Sequence, residues 1–248
     1  MLYDYIFGIH SIQATLEKNH KNIIELYLLD GRSDRRLATI IQLAKQYHVV
    51  YHFCSAAELD QLVQDAQHQG VVAKIQSQPT KTENDLKILL NNLKNPALLL
   101  ILDCVQDPHN LGACLRSADA AGVNAVITPK DNAVALTPTV RKVASGAAEH
   151  IPFIQVKNLA RTLKYLKEQH VWLYGTSDKA KTSIYHADLT APTAIIMGAE
   201  GTGLRRLTAE LCDELLYIPM SGSVSSLNVS VATGIFLFEA VRQRRLKG

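Results

Sequence analysis

The feature that most constrains the fold is the run ALLLILD at residues 97–103, in which six apolar residues precede one aspartate. A strand that is apolar on both faces is typical of a parallel sheet covered by helices on both sides. Further strand-like segments follow at 123–127, 171–176, 193–198 and 214–219, and helical patterns lie at 110–121 and after residue 228. This alternation predicts an α/β domain with a mostly parallel sheet and right-handed crossovers.

The first 76 residues contain a separate alternation of short strands and helices. Strand-like segments at 23–30, 49–53 and 71–75 are separated by stretches with helical spacing of apolar residues. The polar stretch 76–85 contains a proline and has no apolar periodicity, which favours a linker. We therefore predict a small α/β domain over 1–76, a linker with a first helix over 77–95, and a larger domain over 96–248.

Composition excludes several classes of protein. The chain is 47% hydrophobic and 20% charged, as in a globular protein. No apolar run reaches the roughly 18 residues that a bilayer-spanning helix needs, and the N-terminus lacks the pattern of a signal peptide. We therefore expect a cytoplasmic protein without a membrane partner. The net charge of +3 permits a polyanionic partner without requiring one.

The cysteines do not have the spacing of a metal site. No two of them form a Cys-x-x-Cys pair, and the nine histidines are scattered. We expect no metal and interpret the thiols as reduced, mostly buried side chains. The four cysteines are Cys54, Cys104, Cys114 and Cys212.

Three polar loops follow predicted strands, at residues 103–110, 198–203 and 219–228. They are rich in Gly, Ser and Asn, whose backbones approach a ligand closely or whose side chains hydrogen-bond it. The carboxyl ends of parallel strands share one edge of the sheet, where open α/β sheets bind ligands. The loops are therefore the candidate binding region.

Simple structural roles account for several residues in these loops. Asn110 occupies a predicted N-cap position, and Arg116 is placed to pair with Asp119 or to hold an RNA phosphate or ribose. Glu200 lies between glycines and could bind the N-terminus of the following helix or pair with Arg205 or Arg206. The loop 198–203 predicts a tight turn, but it is neither a phosphate-binding P-loop nor an early dinucleotide fingerprint. The third loop has more polar residues than capping the last helix needs, which favours a ligand cradle.

Three segments resemble, in order, the motifs of the SpoU/TrmH family of RNA ribose 2′-O-methyltransferases, which belong to the SPOUT superfamily. They are DPHNLGACLRSADAAGV, IIMGAEGTGLRRL and IPMSGSVSSLNVSVATGIFLFEAVRQR. The segments FGIH and HQGVVA resemble parts of the family's RNA-binding domain. Within the family, the chain is most similar to enzymes that methylate a guanosine in 23S rRNA, with the P loop of the peptidyl-transferase centre as the expected target.

The resemblance implies a fold, a cofactor and an assembly. The larger domain should contain a deep trefoil knot whose loops bind S-adenosyl-L-methionine, and the chain should form a homodimer that binds 23S rRNA and not DNA. The apolar stripe Val231, Ile235 and Phe238 is either interface or core. The catalytic and substrate-contact positions implied are Asn110, Arg116, Glu200, Ser226 and Asn228. The cofactor positions implied are Gly198, Ile218 and Leu227, with Thr176 and Met220 as neighbours.

The chemistry limits what Arg116 can do. The family often assigns an arginine at this position as the general base, but a guanidinium keeps its proton at neutral pH. We therefore expect Arg116 to bind a phosphate or to stabilise the developing alkoxide, at the cofactor of the partner subunit. Alternative functions are the same reaction on tRNA, a non-catalytic RNA-binding ribosome assembly factor, and a nicotinamide-dependent oxidoreductase. The missing early glycine fingerprint disfavours the last of these.

Overall fold

The computed structural model describes residues 3–63, 67–76 and 80–247. The strands are β1 (Tyr3–Phe7), β2 (Ile23–Leu29), β3 (Tyr51–Cys54), β4 (Val71–Gln76), β5 (Leu98–Leu102), β6 (Ala125–Pro129), β7 (Phe153–Val156), β8 (Trp172–Thr176), β9 (Thr182–Ser183), β10 (Thr193–Met197) and β11 (Glu214–Tyr217). The α-helices are α1 (Ile9–Asn19), α2 (Arg35–Gln46), α3 (Ala56–Val63), α4 (Glu83–Asn92), α5 (Pro108–Ala120), α6 (Pro138–Val143), α7 (Leu159–Glu168), α8 (Arg206–Leu211) and α9 (Val229–Lys247). Short 3-10 turns lie at His20–Asn22, Ala147–Glu149 and Ile184–His186.

The chain divides into two compact units. The first comprises Met1–Pro79 and Leu136–His150, and the second comprises Thr80–Ala135 and Ile151–Gly248. The sequence placed residues 136–150 in the larger domain, whereas the contacts group them with the first unit. Within that unit, Asn19 Nδ2 donates to the main-chain oxygen of Glu149 at 2.9 Å, and Arg141 pairs with the Glu149 carboxylate. These polar contacts, with the packing of α6 on β1, explain the grouping.

The first unit contains a four-stranded mixed sheet in the order β1-β4-β2-β3. β2 and β3 are parallel, and β4 is antiparallel to both β1 and β2. The strands predicted near 23–30, 49–53 and 71–75 are confirmed. β1 was not predicted; it is an edge strand of only five residues.

The second unit contains a seven-stranded sheet in the order β7-β6-β5-β10-β8-β11-β9. Every described pairing in this sheet is parallel. β5 lies in the interior of the sheet, and all five of its residues are buried, as the apolar run predicted. The predicted α/β class with a mostly parallel sheet is confirmed, and the trefoil knot stays a prediction. β7 and α7 were not predicted.

The sheet of the second unit has helices on both faces. Side chains of α4 and α7 pack in one apolar cluster with Leu99 and Ile101 of β5, and Leu211 of α8 packs against the same cluster. α5 and α9 contact each other, and α9 contacts β10. The chain therefore leaves β5 toward α5 on one face and leaves the adjacent β10 toward α8 on the other. Connections to opposite faces open a crevice at the carboxyl ends of the two strands.

The predicted linker is shorter than the sequence suggested. Residues 77–79 lie outside the described residues, and α4 begins at Glu83. The Asp85 carboxylate accepts hydrogen bonds from the Thr82 main-chain N at 2.7 Å and from the Thr82 hydroxyl at 3.0 Å. Polar residues assigned to the linker therefore start a helix. No helix in the described part of the chain is long and apolar enough to cross a membrane.

Arg244, near the C-terminal end of α9, joins this helix to the sheet of the second unit. Arg244 donates to the carbonyl oxygens of Pro96, Ala97, Leu189 and Ala191, at 2.8, 2.8, 3.0 and 2.7 Å. Burial lowers the pKa of Arg244 from its ordinary value. Four carbonyl groups near the amino ends of β5 and β10 are therefore bonded to this one guanidinium, which ties α9 to the sheet.

Arg244→Met is expected to destabilise the second unit. Hydrogen bonds to a charged donor contribute about 1.5–3 kcal/mol each, and the lost carbonyl contacts are only partly replaced by water. We expect a loss of about 3 kcal/mol and a fall of roughly 6–12 °C in the thermal unfolding midpoint measured by circular dichroism. Arg245→Met, at an exposed neighbouring position, is the control and should leave the midpoint within about 1 °C.

Candidate active site

The three polar loops lie at one edge of the parallel sheet. The first follows β5 at residues 103–107, the second follows β10 at 198–205, and the third follows β11 at 218–228. We refer to them as loop A, loop B and loop C. Loops A and B leave adjacent strands toward opposite faces, so they border the crevice described above. The sequence prediction that these segments share one edge is confirmed.

Asn110 is not the N-cap of α5. Asp107 caps this helix: its carboxylate accepts from the main-chain N of His109 at 3.2 Å and of Asn110 at 3.1 Å. Pro108 occupies the first position of the helix, where a missing N–H costs nothing. The sequence misplaced the cap by three residues because Asn and Asp are equally good caps. Because Asp107 caps the helix, the buried Asn110 side chain is available for another contact.

Asn228, the last residue of loop C, bridges the first turn of α5 and loop B. Its Nδ2 donates to Asn110 Oδ1 at 2.9 Å and to Glu200 Oε1 at 2.5 Å. Its Oδ1 accepts from the main-chain N and the hydroxyl of Ser230, at 2.9 and 2.6 Å, and so caps α9. The same amide therefore starts the last helix and bridges the other two segments. We name Asn110, Glu200 and Asn228 the Asn–Glu–Asn cluster.

Loop B folds back on itself and presents Glu200. The main-chain groups of Ala199 and Gly203 exchange hydrogen bonds of 3.1 and 2.9 Å, which closes a tight turn. Gly201 and Gly203 have φ values of 76° and 66°, which favour glycine. A Cβ on Gly198 would lie 2.1 Å from the carbonyl carbon of Gly203. The three glycines are therefore needed for the turn itself, as the sequence predicted.

A buried carboxylate fixes the end of loop B. Asp103, fully buried at the end of β5, accepts from the Arg205 main-chain N at 3.1 Å and from Arg205 Nε at 2.7 Å. The hydrogen bond to Asp103 raises the pKa of Arg205. The sequence proposed Arg205 or Arg206 as partners of Glu200, and this is wrong: Arg206 pairs with Glu210. Asp103 was not among the predicted site residues, although an aspartate that ends a wholly apolar strand was the available signal.

Arg116 and Ser226 lie apart from the cluster. Arg116 is exposed on α5, six residues after Asn110, which places it roughly 120° around the helix axis. One face of α5 therefore cannot direct both side chains to the cluster. Ser226 is exposed in loop C. Among the hydrogen bonds of the described residues, none joins either side chain to the cluster.

The predicted cofactor positions surround three neighbouring strand ends. Thr176 ends β8, Gly198 follows β10, and Ile218 follows β11, and these three strands are adjacent in the order β10-β8-β11. In loop C, Leu227 is half-buried and Met220 is 37% exposed. This edge thus combines apolar side chains with the glycine-rich loop B and the Glu200 carboxylate. It fits a ligand with an apolar ring system and a positive charge.

The thiols near the site are not prepared for nucleophilic chemistry. Cys114 is buried on α5, and its Sγ lies 3.4 Å from the Thr233 hydroxyl of α9. Burial raises the pKa of Cys114 to about 11 and that of Cys212 to about 12. Both thiols therefore stay protonated at neutral pH. All four cysteines are free, but only Cys114 is buried; the expectation of buried thiols is wrong for Cys54, Cys104 and Cys212, which are partly exposed.

Family models match both parts of the chain. Residues 97–238 match the SpoU rRNA Methylase family, and residues 5–80 match a family described as RNA 2′-O ribose methyltransferase substrate binding. The first match contains the whole Asn–Glu–Asn cluster. The second contains the sheet of the first unit except its two outermost residues, Tyr3 and Asp4.

Named relatives match almost the full length of the chain. It is 57% identical over 242 residues to the 23S rRNA (guanosine-2′-O-)-methyltransferase RlmB of Shewanella oneidensis, covering 98% of each chain. It is 53% identical to the RlmB of Escherichia coli K12, covering 97% of this chain and 99% of the relative. A solved structure of the SpoU methyltransferase AviRb from Streptomyces viridochromogenes, in complex with the cofactor AdoMet, has a TM-score of 0.81 at 24% identity and covers 99% of this chain and 92% of that one. This last likeness concerns the fold alone.

Gly198→Ala is expected to open loop B. The added methyl overlaps the backbone of Gly203 and Leu204, which cannot move without breaking the turn. Overpacking of this kind costs about 1–3 kcal/mol. We expect faster trypsin cleavage after Arg205 and Arg206 and a lower unfolding midpoint. Gly222→Ala is the matched control, since no atom lies within 4 Å of its added Cβ. Unchanged cleavage in Gly198→Ala would contradict the role given to this glycine.

Proposed function

Because the chain belongs to the SpoU rRNA methylase family, we propose that it methylates the ribose 2′-oxygen of a guanosine in 23S rRNA, using S-adenosylmethionine. The observation that carries the proposal is the Asn–Glu–Asn cluster, which joins the three motif segments at the carboxyl edge of the sheet. The resemblance alone supports the P loop of the peptidyl-transferase centre as the target within 23S rRNA.

The residues around the cluster fit S-adenosylmethionine. When bound, it supplies a methyl group on a positively charged sulfur, so the electrophile needs no activation by the protein. Ile218, Met220 and Leu227 offer apolar surface for its adenine and carbon chain, and Gly198 lies at the neighbouring end of β10. Thr176 is half-buried at the neighbouring strand end, where its hydroxyl donates to the Ile196 carbonyl at 3.2 Å. The Glu200 carboxylate favours a positive charge nearby.

The cluster is suited to positioning more than to proton transfer. Asn228 holds Glu200 and Asn110 in one arrangement, so the loops that border the reacting atoms cannot move independently. Correct alignment of an in-line attack can contribute about 7–11 kcal/mol toward lowering a barrier. We assign Asn110, Glu200 and Asn228 to holding the ribose and the loops, and Ser226 to contacting the substrate from loop C.

The RNA is proposed to bind through both units. A 2′-hydroxyl exists only in RNA, so the reaction itself excludes DNA as substrate. The first unit, which matches the substrate-binding family model, would hold an irregular region of 23S rRNA in which unstacked bases are accessible. An rRNA substrate places the protein in the bacterial cytoplasm.

Radiolabelled methyl transfer tests the proposed function. We expect label from S-adenosylmethionine to appear on one guanosine of a 23S rRNA transcript and not on tRNA transcripts, because the full-length relatives carry the 23S rRNA name. A transcript with 2′-deoxyguanosine at that position should accept no methyl group, which verifies the reacting oxygen. Preferential labelling of tRNA, or RNA binding without transfer, would replace the proposal by the corresponding alternative.

We also propose that Arg116 acts in the site of a second copy of the chain. Arg116 lies on the exposed side of α5, away from the cluster of its own subunit. The stripe on α9 is not core: Val231 is 53% exposed, Phe238 is 49% exposed, and Ile235 is half-buried between them. An exposed apolar stripe is a common mark of an interface, and a two-fold dimer is the commonest assembly. Arg116 would then bind an RNA phosphate or the developing alkoxide in the partner's site.

Mixing two inactive variants tests the shared site. If Arg116 serves the partner, a heterodimer of Arg116→Ala and Asn228→Ala has one intact site and one doubly defective site. Random reassociation should then restore about one quarter of the wild-type methyl transfer, whereas each variant alone stays inactive. Adding Phe238→Asp to both chains should yield monomers by sedimentation and abolish the recovery. No recovery from a verified heterodimer would place Arg116 in its own subunit's site.

A further inference from the structure

A second cleft, of about 320 Å³, opens at the same edge of the sheet as the Asn–Glu–Asn cluster. It lies at the carboxyl ends of β6 and β7, and residues at the end of loop B and the start of α8 close its other side. No residue assigned to catalysis or to the cofactor lines it. The residues that determine its chemistry are Asp131, Asn132, Lys157, Leu159, Arg205 and Leu207.

The cleft contains two cations, of which Arg205 is held through its side chain and Lys157 only through its backbone. The main-chain N of Lys157 donates to Glu83 Oε1 at 2.7 Å, which fixes the backbone while the side chain stays exposed. Arg205 is held by Asp103, yet its side chain remains 48% exposed. Lysine and arginine are the usual partners of RNA phosphates. The cleft therefore offers a preformed position for one phosphate.

The other residues that line the cleft favour a whole nucleotide over a free anion, because they offer apolar surface and a hydrogen-bond acceptor. Leu207 is 51% exposed and so offers apolar surface to the cleft, which the buried Leu159 also lines. Apolar side chains of this kind pack against the face of a base. The Asp131 carboxylate would repel an isolated anion, but it can accept hydrogen bonds from the amino and imino groups of a base edge.

We propose that this cleft binds one nucleotide of the RNA that lies beside the methylated nucleotide in sequence. Its phosphate contacts Lys157 and Arg205, and its base packs on Leu207 with its edge toward Asp131. This inference rests on the proposed function, since it places a neighbouring part of the same substrate. Arg205 also links the cleft to the catalytic site. It is bonded to Asp103, which directly follows β5 at the start of loop A.

The test couples cleft variants to RNA variants. Leu207→Ala and Lys157→Gln are combined with 23S rRNA fragments that carry one abasic nucleotide at each of the three positions on either side of the target. Both the Kd for RNA, from fluorescence anisotropy, and kcat/KM for methyl transfer are measured. Ile88→Ala and Lys164→Gln, at exposed positions on α4 and α7, are the matched controls, and unfolding midpoints verify that all variants fold.

We expect one abasic position to weaken wild-type binding roughly tenfold, as for loss of one base contact. Leu207→Ala should weaken binding of intact RNA by a similar factor and add no further loss at that position. Additive losses at every position, with transfer intact, would overturn the cleft proposal. Coupling in Kd without methyl transfer to intact RNA would instead overturn the proposed function and leave the cleft as an RNA site.

Discussion

The site depends on one constraint, which is that the chain leaves the adjacent strands β5 and β10 toward opposite faces of the sheet. These adjacent parallel strands end at the same edge, but α5 follows one and α8 follows the other on opposite faces of the sheet. The backbone cannot fill the space between two diverging loops, so a crevice forms there for geometric reasons. Asp103 then fixes this edge, because its buried carboxylate joins the end of β5 to the end of loop B.

The way in which α5 and α9 are capped leaves the side chains of the Asn–Glu–Asn cluster free to contact one another. Asp107 caps α5, which releases Asn110 into the crevice. Asn228 caps α9 with its oxygen and keeps its amide hydrogens for Asn110 and Glu200. The position where the last helix starts therefore determines how the first turn of α5 and loop B are joined. A shift of that start by one residue would turn the amide away from both partners, because consecutive helix positions differ by about 100°.

Sequence alone could predict the central strands of the sheet, because a strand such as β5 is a short continuous apolar run, typical of a strand buried on both faces. It could not place residues 136–150, since their grouping with the first unit depends on contacts far apart in sequence, such as Asn19 with Glu149. Asn110 and Glu200 were found through the motifs, but their partners were misassigned. Local rules rank Asn and Asp equally as caps, and charge alone pairs Glu200 with any nearby arginine. Only the folded arrangement shows that a neutral amide holds this carboxylate.

The packing of α5 against α9 links the chemistry of the site to assembly. The sides of the two helices that face each other are joined by Cys114 and Thr233, and the cluster lies at their N-terminal ends. Arg116 and the stripe of Val231 and Phe238 lie on the exposed sides of the same helices. A partner that covered the stripe would therefore bury apolar surface on the same helix pair that carries Arg116. Association and completion of the site would then depend on one helix pair, so a change that loosens α9 should weaken both together.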